Sequence, residues 1–274
     1  MKSTSVMLAM MLAAAVSVGA APVSKTEGVP ALKVRDWAMY FNAGLEGEYM
    51  KYEEPDIMKE TGFQGGIFAE ASIEYKNMLV IKPFMSLVGG DLDYDGSIHY
   101  ADGRTEDFKV STPNTIYNFR GTAGYKIPKL PFDLIPYAGL GYRYLYNDLA
   151  SDRPEGYKRY QHYFYLPVGV EAQFNLGPQW SLYPRVEFDL LLVGKNRSMS
   201  VDLTQNSGTG FRASCDVVAP EWGKGKKMPV RLSIQPFVEY WNIGESDTVR
   251  SGAITLTEPK NNTLSTGLRV SARF

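Results

Sequence analysis

The sharpest chemical pattern in the sequence is Asp91-Leu92-Asp93-Tyr94-Asp95-Gly96, followed by Ile98 and Asp102. Acids at positions one, three, five and twelve, a glycine at six and an aliphatic residue at eight match the ligand spacing of an EF-hand-type calcium loop. Short carboxylates and a glycine that permits a sharp turn can wrap one hard cation. Asp91, Asp93, Asp95 and Asp102 are therefore the candidate metal ligands, and calcium is the only cofactor suggested. Two features depart from the pattern. Position twelve is Asp where a longer Glu is usual, and the flanks alternate like strands rather than helices. The plainer reading is an acidic strand end turning at Gly96. The chain carries 2 histidines, His99 and His162, and shows no Ser–His–Asp set, phosphate-binding glycine loop or Cys/His cluster. With no general acid/base pair in view, no catalytic residue is assigned.

The elements around that loop have a period of two. In Tyr117–Ile127, one face carries Tyr117, Phe119, Gly121, Ala123, Tyr125 and Ile127, and the other Asn118, Arg120, Thr122, Gly124 and Lys126. A helix would mix these sets, whereas a strand separates them. Tyr160–Phe174 and Trp180–Leu192 repeat the pattern, with aromatics at the ends of the apolar face and aliphatics between them. That is the layout of a strand crossing lipid. Further strands are expected at Met39–Lys51, Phe63–Tyr75, Met78–Val88, Leu134–Asn147, Phe211–Ala219, Val230–Asn242 and Leu264–Phe274. Phe211–Ala219 is the weakest of them, and the even strand number of bacterial barrels argues for keeping it. Lys76-Asn77, Ile127–Phe132, Leu176–Gln179 and Glu221–Lys227 read as turns. Gly89–Asn114, Asp148–Lys158, Gly194–Gly210 and Ile243–Thr263 read as longer links on the opposite side.

The N-terminus joins Lys2 to an apolar run, Val6–Val18, and then small residues, which reads as a secretory signal peptide cut after Ala20. Residues 1–20 are thus the expected signal, 21–35 a flexible leader and 36–274 one β domain. A net charge of −1 implies no nucleic-acid partner. Cys215 is the only cysteine and cannot form an internal disulfide. No later stretch is apolar for long enough to be a spanning helix, so membrane insertion would have to use strands.

The C-terminus runs Leu264-Ser265-Thr266-Gly267-Leu268-Arg269-Val270-Ser271-Ala272-Arg273-Phe274, an amphipathic strand closed by an aromatic residue. Together with Pro136-Tyr137-Ala138-Gly139-Leu140-Gly141-Tyr142-Arg143-Tyr144, it resembles the small OmpA-, OmpX- and opacity-type barrels of bacterial outer membranes. The resemblance implies an outer-membrane location and a barrel-assembly signal carried by Leu268, Val270 and Phe274. It implies as partners the assembly machinery, outer-membrane lipids and an extracellular ligand for the loops. It fixes no single activity. Asp91 and Asp93 at the outer rim also resemble one half of the site of the ten-stranded omptin proteases. The second half is missing, since His99 has no Asp two residues before it and His162 falls on the lipid-facing register.

The expected fold is all-β: a single closed antiparallel up-and-down transmembrane barrel of about ten strands, with eight as the alternative. Such a barrel has an interior that side chains can fill. The inward faces mix acids and bases in Glu46, Glu70, Arg120, Arg143, Glu171, Arg185, Glu187, Arg231, Glu239 and Arg269, with Phe68, Phe84, Tyr137, Tyr163 and Tyr165 among them. Opposite charges so placed should pair across strands, which offsets the cost of burying them. The expected function is therefore a plugged barrel acting structurally or through surface loops. A narrow porin-like channel, an omptin-like protease and a lipid-modifying enzyme are the alternatives.

Overall fold

A computed structural model describes residues 36–99, 103–151, 156–176, 179–198, 201–222, 230–251 and 254–274. The expected signal peptide and leader lie outside them, as does Asp102. The described chain is strand throughout: β1 (Trp37–Glu54), β2 (Met58–Tyr75), β3 (Leu79–His99), β4 (Thr105–Tyr125), β5 (Asp133–Asp148), β6 (Lys158–Leu176), β7 (Trp180–Ser198), β8 (Val201–Gln205), β9 (Gly208–Trp222), β10 (Val230–Ile243), β11 (Val249–Ser251), β12 (Ile254–Leu256) and β13 (Asn261–Arg273).

Ten of these close a barrel. Each pairs antiparallel with its neighbours, in the ring order β1, β2, β3, β4, β5, β6, β7, β9, β10, β13 and back to β1. The closing seam runs from Asn42↔Arg273 to Glu53↔Asn262. Closure leaves no sheet edge in the band that faces lipid, where an unpaired N–H or C=O has no water to bond. β8 folds back onto the end of β7, and β11–β12 is a separate small hairpin within the β10–β13 loop.

The outward faces explain the membrane band. Leu45, Phe63, Ile67, Met85, Phe119, Leu140, Phe188, Leu192 and Ile234 point out and are at least half exposed, apart from Phe188 at 47%. No soluble fold of this size could leave so much apolar area in water. All ten expected strands are present, and at the turn end their limits agree with the sequence reading to within three residues. At the other end the strands run on. Much of what reads as a link in Gly89–Asn114 is ladder, and β1 and β2 are joined by only Pro55, Asp56 and Ile57. Above the lipid band both faces are polar or mixed, and the period-two signal fades although the hydrogen bonds continue. At the turn end, Lys76 and Asn77 adopt φ of 50° and 54°, the left-handed pair that a two-residue hairpin needs to match strand twist.

Candidate functional site

The barrel interior is built from the inward residues of all ten strands, and it has layers. The layer nearer the turn end is ionic. Arg269 on β13 donates to both carboxylate oxygens of Glu46 on β1, at 2.9 and 3.0 Å, across the closing seam. The same guanidinium lies 4.3 Å from the Phe237 ring centre and 4.9 Å from that of Phe84. Arg185 bridges Glu171 (2.6 Å) and Glu70 (3.0 Å), and Lys82 also holds Glu171 at 2.6 Å. Arg120 and Arg212 converge on Glu187, with Arg120 at 2.6 Å. Arg212 also reaches Glu239 at 2.9 Å, and Arg143 stands 3.7 Å from the same carboxylate.

Several of these pairs cross the lumen rather than running along one wall. β2 and β7, which carry Glu70 and Arg185, lie halfway round the ring from each other, so the ion pair is a strut. Nine of the ten charges expected to form the network are in it. Arg231 is the exception. It sits at the turn rim and donates to the carbonyl oxygens of Ala219 and Gln179 (both 2.7 Å) and to the Ser181 hydroxyl (3.2 Å). Its strand meets β9 there through a register shift, which brings main-chain acceptors within reach instead of a carboxylate. Arg212 is central to the network but was missed, because its strand has the weakest alternation.

Above the ionic layer lies an apolar one that the sequence reading did not foresee. Met50, Val88, Leu92, Ile116, Leu145, Tyr163, Tyr165, Leu191, Trp241 and Ile243 form one buried cluster inside the barrel. Tyr165 meets Trp241 edge to face at 5.0 Å between ring centres. Gly141 makes room for it, since a side chain there would strike the Tyr165 ring. The Trp241 indole N–H donates to Glu239 at 2.6 Å and ties the two layers together. Beside these side chains are voids of about 10 Å³ (near Lys82, Glu171 and Arg185), 20 Å³ (near Tyr40, Asp216 and Arg273) and 10 Å³ (near Met50, Glu60 and Arg159). Each has room for about one water.

Over the apolar layer, beyond the lipid band, is a third group. Arg159 on β6 pairs with Glu54 on β1 at 2.8 Å and stands 3.9 Å from Glu258, which descends from the β12–β13 link. Gln161 donates to Glu258 at 3.3 Å, and Ser246 and Glu258 hold each other's main chain. Glu60 is 2% exposed beside them. Burial pushes its carboxyl up to about 7 against the pull of Arg159, and burial raises Glu258 as well.

The acidic stretch does not form a wrapped loop. Asp91, Asp93 and Asp95 lie on extended β3, opposite Pro113, Ser111 and Lys109 of β4. Alternate residues of a strand stand about 7 Å apart in a row, so they do not surround one point. Asp95 is taken by Lys109 (3.2 Å) and Lys59 (3.3 Å), which hold its carboxyl below the usual range. Among the described residues no group of three acids, histidines or cysteines is placed to hold a metal. His162 is on the outward face of β6, its Nδ1 2.7 Å from the Tyr142 hydroxyl, three strands round the ring from Asp91 and Asp93. Leu268 and Val270 face lipid, and Phe274 exchanges main-chain hydrogen bonds with Phe41 at 3.1 and 2.9 Å.

No curated protein matches the chain in sequence. Among solved structures it is similar to the translocator domain of the autotransporter NalP from Neisseria meningitidis (14% identity, 98% of this chain and 97% of that one, TM-score 0.40). It is also similar to the attachment invasion locus protein Ail of Yersinia pestis in complex with sucrose octasulfate (12% identity, 86% and 99%, TM-score 0.33). A third is the transport unit of the autotransporter AIDA-I from Escherichia coli (8% identity, 96% of each chain, TM-score 0.37). The family described as the outer membrane protein beta-barrel domain matches residues 10–214, which is most of the chain. With its closed ring of ten strands and its lipid-facing band, the chain belongs to that outer-membrane β-barrel family.

Proposed function

We propose that this protein is a non-conducting outer-membrane barrel that acts structurally or through its extracellular rim. The observation that supports this reading is the packing of the inward side chains: struts of paired charge beneath a buried apolar cluster, beside which the voids named above have room for about one water each. On this reading the end where β3 and β4 run past the lipid band and β8 and β11–β12 are added is the extracellular one, since barrels of this class place their long connections outside. Export would use the N-terminal signal. The assembly machinery would read Leu268, Val270 and Phe274, and an extracellular ligand would meet the loops.

The test is single-channel recording of the purified barrel in planar bilayers. Silence at moderate voltage is expected. Reproducible discrete steps would overturn the reading in favour of a narrow porin-like channel.

A further inference from the structure

We propose that the outer rim carries a binding site for a phosphorylated glycolipid of the outer leaflet, on the outward face of β4–β7. The proposal rests on the outer-membrane reading above and is independent of whether the lumen conducts.

The first observation is an irregularity in β7. Up to Leu191 its odd-numbered residues point inward: Glu187 is 1%, Asp189 0% and Leu191 9% exposed. The register with β6 then shifts, from Tyr165↔Leu191 to Phe164↔Val193, so that one residue is extra. Beyond the bulge the even residues point inward, with Asn196 1% exposed, and Lys195 and Arg197 are turned out. A bulge is a means of re-aiming side chains. Here it moves two cations from the lumen to the surface just above the lipid band.

The second observation is what lies next to them. Lys195 is the register partner of His162, and Arg197 that of Tyr160. From there aromatic rings continue across the outer face: Tyr144 against His162 (4.8 Å), Tyr146 against Tyr160 (5.2 Å), Tyr142 against Phe164 (4.8 Å) and Tyr117 against Tyr144 (5.7 Å). An interfacial girdle anchors a barrel at one height. This patch climbs from Tyr142 to Tyr146, roughly 14 Å along the strand, into the layer where headgroups sit. Aromatic faces stack on the C–H faces of sugar rings. Ammonium and guanidinium groups take phosphate, Arg with two parallel bonds.

The third observation is the contrast with the rest of the rim. Elsewhere on the outer half of the barrel β3 presents Asp91 and Asp93, while β10 and β13 present Asn242 and Asn262, bonded to each other, with the Tyr240 hydroxyl donating to Asn262. The cations of the patch are only loosely engaged. Arg197 stands 3.7 Å from Asp202, with both side chains more than half exposed, and Lys195 donates to the Thr204 hydroxyl at 2.7 Å. An exposed pair of that kind is weak and readily exchanged for phosphate. This sector joins two loosely held cations to a run of stacked rings, and the ligand it fits has sugar and phosphate together. On β1–β2, where Tyr49 and Phe63 also meet edge to face, Lys51 and Lys59 are held by the carboxylates of Glu53 (2.6 Å) and Asp95 (3.3 Å).

The test is native mass spectrometry of the barrel in neutral detergent with bis-phosphorylated lipid A, its dephosphorylated form, phosphatidylglycerol, or inorganic phosphate. Lipid A is expected to remain bound to the intact barrel. Its affinity should fall at least tenfold in Lys195→Ala/Arg197→Ala and in Tyr144→Leu/Tyr160→Leu, and on removal of its phosphates. Lys51→Ala/Lys59→Ala, which removes the same charge elsewhere on the rim, should leave binding unchanged. All six residues lie on the outer face, and a heat-shift gel verifies that each variant is folded. Equal loss in the Lys51/Lys59 control, equal binding of phosphatidylglycerol or of the dephosphorylated lipid, or binding of inorganic phosphate alone with the same dependence on Lys195 and Arg197 would each overturn the proposal. None of these outcomes bears on conductance.

Discussion

The two halves of the lumen solve one packing problem with opposite chemistry. Near the turn end, Glu70, Lys82, Glu171, Arg185, Glu187 and Arg212 hold the walls apart and together through directed, charge-assisted bonds. Toward the opposite end, Met50, Leu92, Ile116 and Trp241 do so by filling volume. Charges are directional, so they accept only one strand register, and every one depends on its partner. Apolar side chains are indifferent to direction and respond to volume. The ionic half thus specifies the barrel register, and the apolar half fills volume whatever the register.

The largest expected effect is in the ionic half. Arg212→Met strands Glu187 and Glu239 without their shared cation, and breaking a buried pair in this way costs about 3–5 kcal/mol. The folded band on a heat-shift gel should be lost at a markedly lower temperature. A change of only a degree or two would mean that the neighbouring Arg120 and Arg143 carry the network without it.

Next comes the apolar half. Leu92→Ala opens a cavity in a layer where Leu92 is 0% exposed, at a cost of about 2–4 kcal/mol. Urea unfolding in lipid vesicles should show it. The halves are distinct if Leu92→Met restores most of that loss while Arg212→Lys restores little at its own site, because Lys is a point charge and cannot bridge two carboxylates as a fork does.

The smallest effect concerns the acids above both layers. Glu60 is raised to about 7, so its protonated form is favoured by the fold. Stability from this group is fully present below the unfolded carboxyl value of 4.5 and is lost as pH rises to about 7, with Glu258 acting in the same direction. Main-chain hydrogen exchange around Ser246 and Glu258 should be several-fold faster at pH 8 than at pH 5, beyond the intrinsic change. Glu60→Gln should flatten that dependence. An unchanged slope in the variant would remove Glu60 from the cap.

The ten strands and their turn ends were legible because lipid enforces a period of two and Lys76-Asn77 marks a hairpin. The outer ends were not, since above lipid nothing forces one face to be apolar. That is why Leu92 and Ile243 read as loop residues and the apolar layer went unseen. The charge network was legible at nine positions because inward alternation makes burial, and burial demands a partner. Arg231 escaped the rule where a register shift supplied carbonyls instead. The acidic spacing at Asp91 fits two readings because a ligand pattern counts residues along the chain, whereas the extended strand spreads Asp91, Asp93 and Asp95 along a line.

The seam between β1 and β13 also has a consequence in time. The strand made last is the partner of the strand made first, so loop closure must span nearly the whole barrel domain before the ladder from Asn42↔Arg273 can form. Contacts so distant in sequence form slowly. Until then the nascent sheet has two raw margins, each a template for a wrong neighbour. The Glu46–Arg269 bridge sits on that seam and acts as a clasp: it engages only when the two margins meet in the correct alignment, so a slipped ring is left with a buried charge at its join.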